Sequence, residues 1–121
     1  MIKKLDVIEI QVKNWEQMVK WYKEKLGLTV FAKEENDQFA MLGKKVGFLL
    51  ALWGKKQLKG KNAKQQRITP YWRVTNLTKT VREFSRRGVV FASGIEIRHW
   101  GRQAKFSDPE GNTHFLYQEK N

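Results

Sequence analysis

The sequence predicts an α+β protein built from two βαβββ modules, and three observations carry that prediction. An alternating strand pattern followed by an amphipathic helix opens the chain at residues 4–27. The same pattern returns at residues 67–88, in register when Val12 is set on Val74. Near the end, Ser107-Asp108-Pro109-Glu110-Gly111-Asn112 combines a Pro with pre-set φ and residues that tolerate positive φ, so the chain reverses into a final aromatic strand.

Taken in order, residues 4–12 place Ile8, Ile10 and Val12 on one side and Val7, Glu9 and Gln11 on the other, which is a half-buried strand. Asn14 is the expected N-cap of the first helix, with Gln17 completing a capping box. Trp15, Val19, Tyr22 and Leu26 recur at helical spacing, and Gly27 ends the run as a C′ glycine. Residues 28–32 and 38–42 read as strands, Gly43-Lys44-Lys45 as a turn, and 46–53 as a long apolar strand. Residues 55–67 hold six basic and no acidic residues and read as a solvated linker, with nucleic-acid contact as the alternative. The expected organisation is one domain over 1–121, with module one at 1–54, a linker at 55–66 and module two at 67–121.

In the second module Ile68, Trp72 and Val74 alternate with Arg67, Thr69, Tyr71 and Arg73. The helix runs over 76–87 from an Asn76 cap to Gly88, so that Asn14 matches Asn76, Val19 matches Val81 and Tyr22 matches Phe84. Residues 89–92 form a strand, 96–100 a short strand or loop, and 102–106 the strand before the turn. In the last strand Thr113, Phe115 and Tyr117 alternate with His114, Leu116 and Gln118.

Composition bounds the chemistry. With 121 residues, 40% hydrophobic, the chain can bury a core without covalent staples. The absence of cysteine excludes disulfides, thiolate nucleophiles and Cys-based zinc sites, and fits a reducing compartment. Asp6, Glu9 and Gln11 interrupt any leader-like apolar run, and no later stretch approaches a membrane span, so a soluble cytoplasmic protein without membrane contact is expected. A net charge of +12 creates a positive field that attracts polyanions, anionic lipid or acidic small molecules, or simply keeps the protein soluble. His99 and His114 are the two histidines, and neither stands at a ligand spacing from a carboxylate. His114 shares strand parity with Leu116, which makes it a structural core histidine, while His99 lies in a loop beside Trp100.

The paired modules, the helix end Tyr22-x-x-x-Leu26-Gly27-Leu28, and Trp100-Gly101-Arg102 ahead of the Asp108-Pro109-Glu110-Gly111-Asn112 turn closely resemble the vicinal oxygen chelate superfamily. That superfamily includes glyoxalase I, bleomycin-resistance proteins and extradiol dioxygenases. The resemblance implies eight strands curled into an open cup, usually in a homodimer, and in the enzymes a divalent metal held by one residue from each of four strands. Carried over, those positions are Val7, Thr69, Phe115 and, in the fourth strand, Phe48; only Thr69 offers a donor, so no metal or other cofactor is expected.

By strand parity the cup would present Glu9, Gln11, Phe48, Leu50, Thr69, Tyr71, Arg73, Phe115 and Tyr117 to a ligand. Tyr71, Phe115 and Tyr117 would stack on a flat molecule, Arg73 would grip an anionic group, and Glu9 or Gln11 would fix its orientation. The expected function is therefore binding of an aromatic or acidic small molecule by a metal-free homodimer, with no catalytic residue identified. The alternatives are a metal-dependent lyase or dioxygenase with a nonstandard site, and a nucleic-acid-associated protein; the latter lacks any accompanying reading motif.

Overall fold

The computed structural model describes residues 1, 3, 7–44, 49–54 and 68–120. Phe48, Arg67 and the basic stretch 55–67 named above lie outside these residues. The chain divides into two compact units, Met1–Gln65 and Gln66–Asn121.

The first unit contains β1 (Val7–Gln11), α1 (Trp15–Leu26), β2 (Thr29–Glu34), β3 (Phe39–Gly43) and β4 (Leu49–Trp53). Its sheet runs β1-β4-β3-β2, with β1 parallel to β4 and the other neighbours antiparallel. The β1–β4 register pairs Ile8 with Leu50 and Ile10 with Leu52, and β3 adds Ala40 and Leu42 to the same face. Ala40, Leu42, Leu50 and Leu52 are all fully buried on that face. The helix supplies Trp15, Met18, Val19, Tyr22 and Leu26 to the core, the expected stripe with Met18 added, and the Trp15 indole N–H donates to the Leu52 carbonyl at 3.1 Å. Gly27 ends α1 in the left-handed conformation (φ 71°) and its N–H donates to the Tyr22 carbonyl, as the sequence predicts.

The second unit contains β5 (Tyr71–Arg73), α2 (Leu77–Arg86), β6 (Val90–Phe91), β7 (Glu96–Arg98), β8 (Gly101–Ser107) and β9 (Thr113–Glu119). Its sheet runs β5-β9-β8-β6, with β5 parallel to β9. This is the first sheet's order with each strand replaced by its counterpart, and the correspondence extends to single hydrogen bonds. Val12 N–H donates to Trp53 O and Val74 N–H to Tyr117 O, each at 2.8 Å. Asn14 O accepts from Met18 N–H as Asn76 O accepts from Thr80 N–H.

Two details depart from expectation. The edge strand of the second sheet is broken: β6 pairs with residues 106–107 of β8 and β7 with residues 101–103, so together they fill the place β2 holds in the first sheet. The described residues thus contain nine strands where eight were expected, both sheets being open. Side-chain capping by asparagine also holds in one module only, and it is not the one where the capping box was expected. Asn76, extended at φ −136° and ψ 99°, accepts from Lys79 N–H at 3.0 Å, whereas Asn14, at φ −93° and ψ 77°, makes no such side-chain bond. Only the extended backbone turns the side chain back onto the first turn. No helix among the described residues is long and apolar enough to cross a membrane.

Candidate ligand-binding face of the second sheet

Strand register decides which side chains of the second unit share a face. The β5–β9 pairing sets Tyr71 beside Phe115 and Arg73 beside Tyr117, and the β8–β9 pairing adds Gln103 and Lys105. The opposite face carries Ala104, Phe106, His114 and Leu116, all buried, and Gln118, whose side-chain oxygen accepts from Leu77 N–H at the start of α2 at 2.8 Å. His114 belongs to that core as expected: its Nδ1 accepts the Trp72 indole N–H at 2.9 Å and its ring stacks on Phe106 at 5.1 Å.

The other face is aromatic and partly open. Tyr71 and Phe115 stack in parallel, centroids 4.7 Å apart and planes 8° from one another. Tyr117 meets Tyr71 edge-on at 6.1 Å, and Trp100 meets Tyr117 edge-on at 5.7 Å. Tyr71 is 45% exposed, so one side of the stack is available. An apolar, flat surface of this kind binds planar molecules through dispersion and ring quadrupoles.

The electrostatics of this face correct one expectation. Arg73 is already committed: its Nε donates to the Tyr117 hydroxyl at 3.1 Å, a guanidinium nitrogen pairs with Glu119 at 2.6 Å, and the guanidinium lies 5.6 Å over the Tyr117 ring. Its pKa is raised, first by the Tyr117 hydrogen bond and then by Glu119. An anionic ligand would have to displace Glu119 to reach it. Gln103, only 5% exposed, donates from Nε2 to Glu96 at 3.0 Å, and this bond, aided by Arg98 and Lys105, holds the Glu96 carboxyl below the usual carboxylate range.

Of the residues expected to bind a ligand, Tyr71, Arg73, Phe115 and Tyr117 stand together on this face. Thr69 is exposed, two residues ahead of β5. Glu9 and Gln11 belong to β1 in the first unit; Glu9 is exposed, while the Gln11 amide nitrogen donates to Trp53 O and Gly54 O at 3.1 and 3.2 Å. Leu50 does not share their face. It pairs with Ile8 and is fully buried, as is Leu52, because the β1–β4 register places Ala51, not Leu50, opposite Glu9. Lys105 and Gln103 were missed by the sequence reading, although their parity relative to the Asp108–Asn112 turn places them opposite Phe115 and Tyr117.

The same register identifies the fourth-strand counterpart of Phe115. Glu9 corresponds to Tyr71 in the repeat and pairs with Ala51 as Tyr71 pairs with Phe115. The first unit thus offers Val7 and Ala51 where the resemblance implies metal ligands, and the second offers Thr69 and Phe115. One hydroxyl among four positions is not a donor set for a divalent cation. Among the described residues no three His, Asp or Glu side chains converge either.

Two βαβββ modules of identical strand order, each with its first strand parallel to its last, define a class of paired-module proteins. The chain belongs to the Glyoxalase/Bleomycin resistance protein/Dioxygenase superfamily, whose family model matches residues 4–114. No curated protein matches it in sequence. Among solved structures it is similar to TnmS3, an antibiotic binding protein from Streptomyces sp. CB03234, at TM-score 0.82 and 23% identity over 98% of each chain. It is also similar to a superfamily member from Sphaerobacter thermophilus DSM 20745, at TM-score 0.78 and 21% identity over 98% of each chain. A third likeness is to TioX from Micromonospora sp. ML1, at TM-score 0.80 and 14% identity over 98% of this chain and 100% of that one. At these identities the likeness establishes the fold.

Proposed function

We propose that the protein binds a flat aromatic small molecule without a metal, as a homodimeric binding member of its superfamily, with Tyr71, Phe115 and Tyr117 as the stacking surface. The observation that carries this reading is the parallel Tyr71–Phe115 stack with Tyr71 open to solvent. Aromatic side chains left accessible in a row cost solubility and add little to a core, whereas a planar ligand laid on them gains about 0.5–1.5 kcal/mol per ring contact beyond its buried area. The donor-poor Val7, Ala51, Thr69 and Phe115 positions support binding over metal-assisted turnover. TnmS3, similar in fold and described as an antibiotic binding protein, supports the same reading.

The test uses an uncharged flat probe, 2-naphthalenemethanol, in thermal-shift and calorimetric titrations with and without a chelator. Binding that raises the melting temperature by a few degrees near saturation is expected. Tyr71→Ala should weaken it about three- to tenfold, with the chelator making no difference. Absence of binding by this probe and by a wider set of planar aromatics would overturn the reading. Metal-dependent binding would replace it with the lyase or dioxygenase alternative.

A further inference from the structure

We propose that Lys105 selects for a negatively charged group on the ligand, so that the molecule held on the Tyr71–Phe115 stack is a flat aromatic anion such as a carboxylate or phenolate. This inference rests on the binding reading above and adds the ligand's charge to it. It comes from the pairing of charges on the open face of the second sheet. Register places Arg73, Glu96, Arg98, Lys105 and Glu119 there.

Four of the five cancel. Arg73 pairs with Glu119 at 2.6 Å, and Arg98 pairs with Glu96 at 3.1 Å. Glu96 also accepts from Gln103, which leaves its carboxylate oxygens engaged by two neighbours. Among the described residues Lys105 makes no ion pair; its field reaches Glu96, but as the third cation against two carboxylates it is the surplus positive charge of the face. Its Cα partner across β8–β9 is Phe115, whose other neighbour on the same row is Tyr71. Directly opposed side chains in an antiparallel pair start about 5 Å apart, so an ammonium on a four-carbon stem reaches the rim of the Phe115 ring.

The row therefore reads cation, ring, ring across three strands. A planar ligand seated on the rings with its anionic substituent toward β8 satisfies Lys105, while Glu119 and Glu96 remain neutralised by their own arginines. A ligand bearing a cation would instead face Lys105 directly. Arg73, the residue sequence reasoning favours for an anion, is the less suitable group because recruiting it would strand Glu119.

The experiment compares three matched probes, 2-naphthoate, 2-naphthalenemethanol and 2-naphthylmethylammonium, by calorimetry at low ionic strength. The native protein should bind the carboxylate roughly fivefold more tightly than the alcohol, with the ammonium weakest, and salt of about 0.5 M should erase the difference. Lys105→Met should bring the carboxylate-to-alcohol ratio of dissociation constants close to unity, and Lys105→Arg should keep it. The double variant Arg73→Met/Glu119→Gln, which removes that ion pair without leaving a stranded charge, should still prefer the carboxylate. If the alcohol binds but the native protein shows no carboxylate preference, or if the Arg73→Met/Glu119→Gln pair rather than Lys105→Met removes it, the charge assignment is overturned and the stacking surface stands. If none of the probes binds, the stacking surface falls and the charge assignment with it.

Discussion

At His114 burial removes the water that would solvate an imidazolium, and the Trp72 N–H occupies Nδ1, so the ring stays neutral with its proton on Nε2. Burial lowers its pKa from 6.5 to about 4, against a smaller opposing pull from Asp108. Below 6.5 the unfolded chain takes up a proton that the folded ring resists until about 4, so the unfolded state binds more protons in that window. Stability from this group is complete above 6.5 and is lost as pH falls toward 4, by roughly 3 kcal/mol. Urea unfolding at pH 7, 5.5 and 4 should show the decline, and His114→Gln should flatten the part of the slope that exceeds the carboxylate background. Parity with Leu116 made the histidine's burial legible in the sequence. Its bond to Trp72 was not, because parity gives a face and not a partner forty-two residues away. The same limit explains Arg73: alternation put it on one face with Tyr117, but the β5–β9 register sets the two side by side, and Glu119 on the same strand as Tyr117 takes its charge.

Among the elements, legibility tracks how strongly a segment's pattern distinguishes its two faces. The stripe of α1 and the alternation of β1 separate polar from apolar side chains, and the faces read for β5 and β9 match their burial. The stretch Phe48-Leu49-Leu50-Ala51-Leu52-Trp53 is apolar on both faces, so periodicity supplies no phase. Phase comes from pairing with β1, and a one-residue slip moves every side chain to the other face, which is the fate of Leu50. A backbone-level prediction belongs here too. Gly101 opens β8 at φ 150°, and a Cβ there would collide with the Gln118 carbonyl of β9. Gly111, in the turn at φ 88°, has open space around the same position. Gly101→Ala should therefore cost about 3 kcal/mol or more, and Gly111→Ala about 1 kcal/mol, the φ strain alone. Chemical denaturation midpoints check the order; equal losses would contradict the collision.

For the molecule as a whole, the repeat was the most legible feature because it is written twice: the Val12-on-Val74 register recurs as matching hydrogen bonds in the two units. The gap between β6 and β7 was legible as a strand over 89–92 followed by a short strand or loop from 96, but that both pieces pair with β8 as one broken edge was not, since alternation names no partner strand. The charge is unevenly distributed along the chain. Residues 55–67 carry six of the 24 basic residues and no acidic one, so neutralising them to Gln leaves 18 − 12 = +6. Such a variant should lose most retention on a heparin or DNA column at low salt, and both proteins should elute before physiological ionic strength. Retention of the native protein beyond that point would favour the nucleic-acid reading.

The broken edge of the second sheet has a consequence for how copies of this protein meet. β6 and β7 are two and three residues long, and on the first sheet the matching edge strand β2 carries a bulge between Val30 and Ala32 and the charged pair Lys33-Glu34. Short, kinked or charged borders offer an approaching strand too few aligned amides to extend the ladder. At these two borders, growth of one molecule's sheet into another's is discouraged, and chains that crowd together slide past one another where they would otherwise zip.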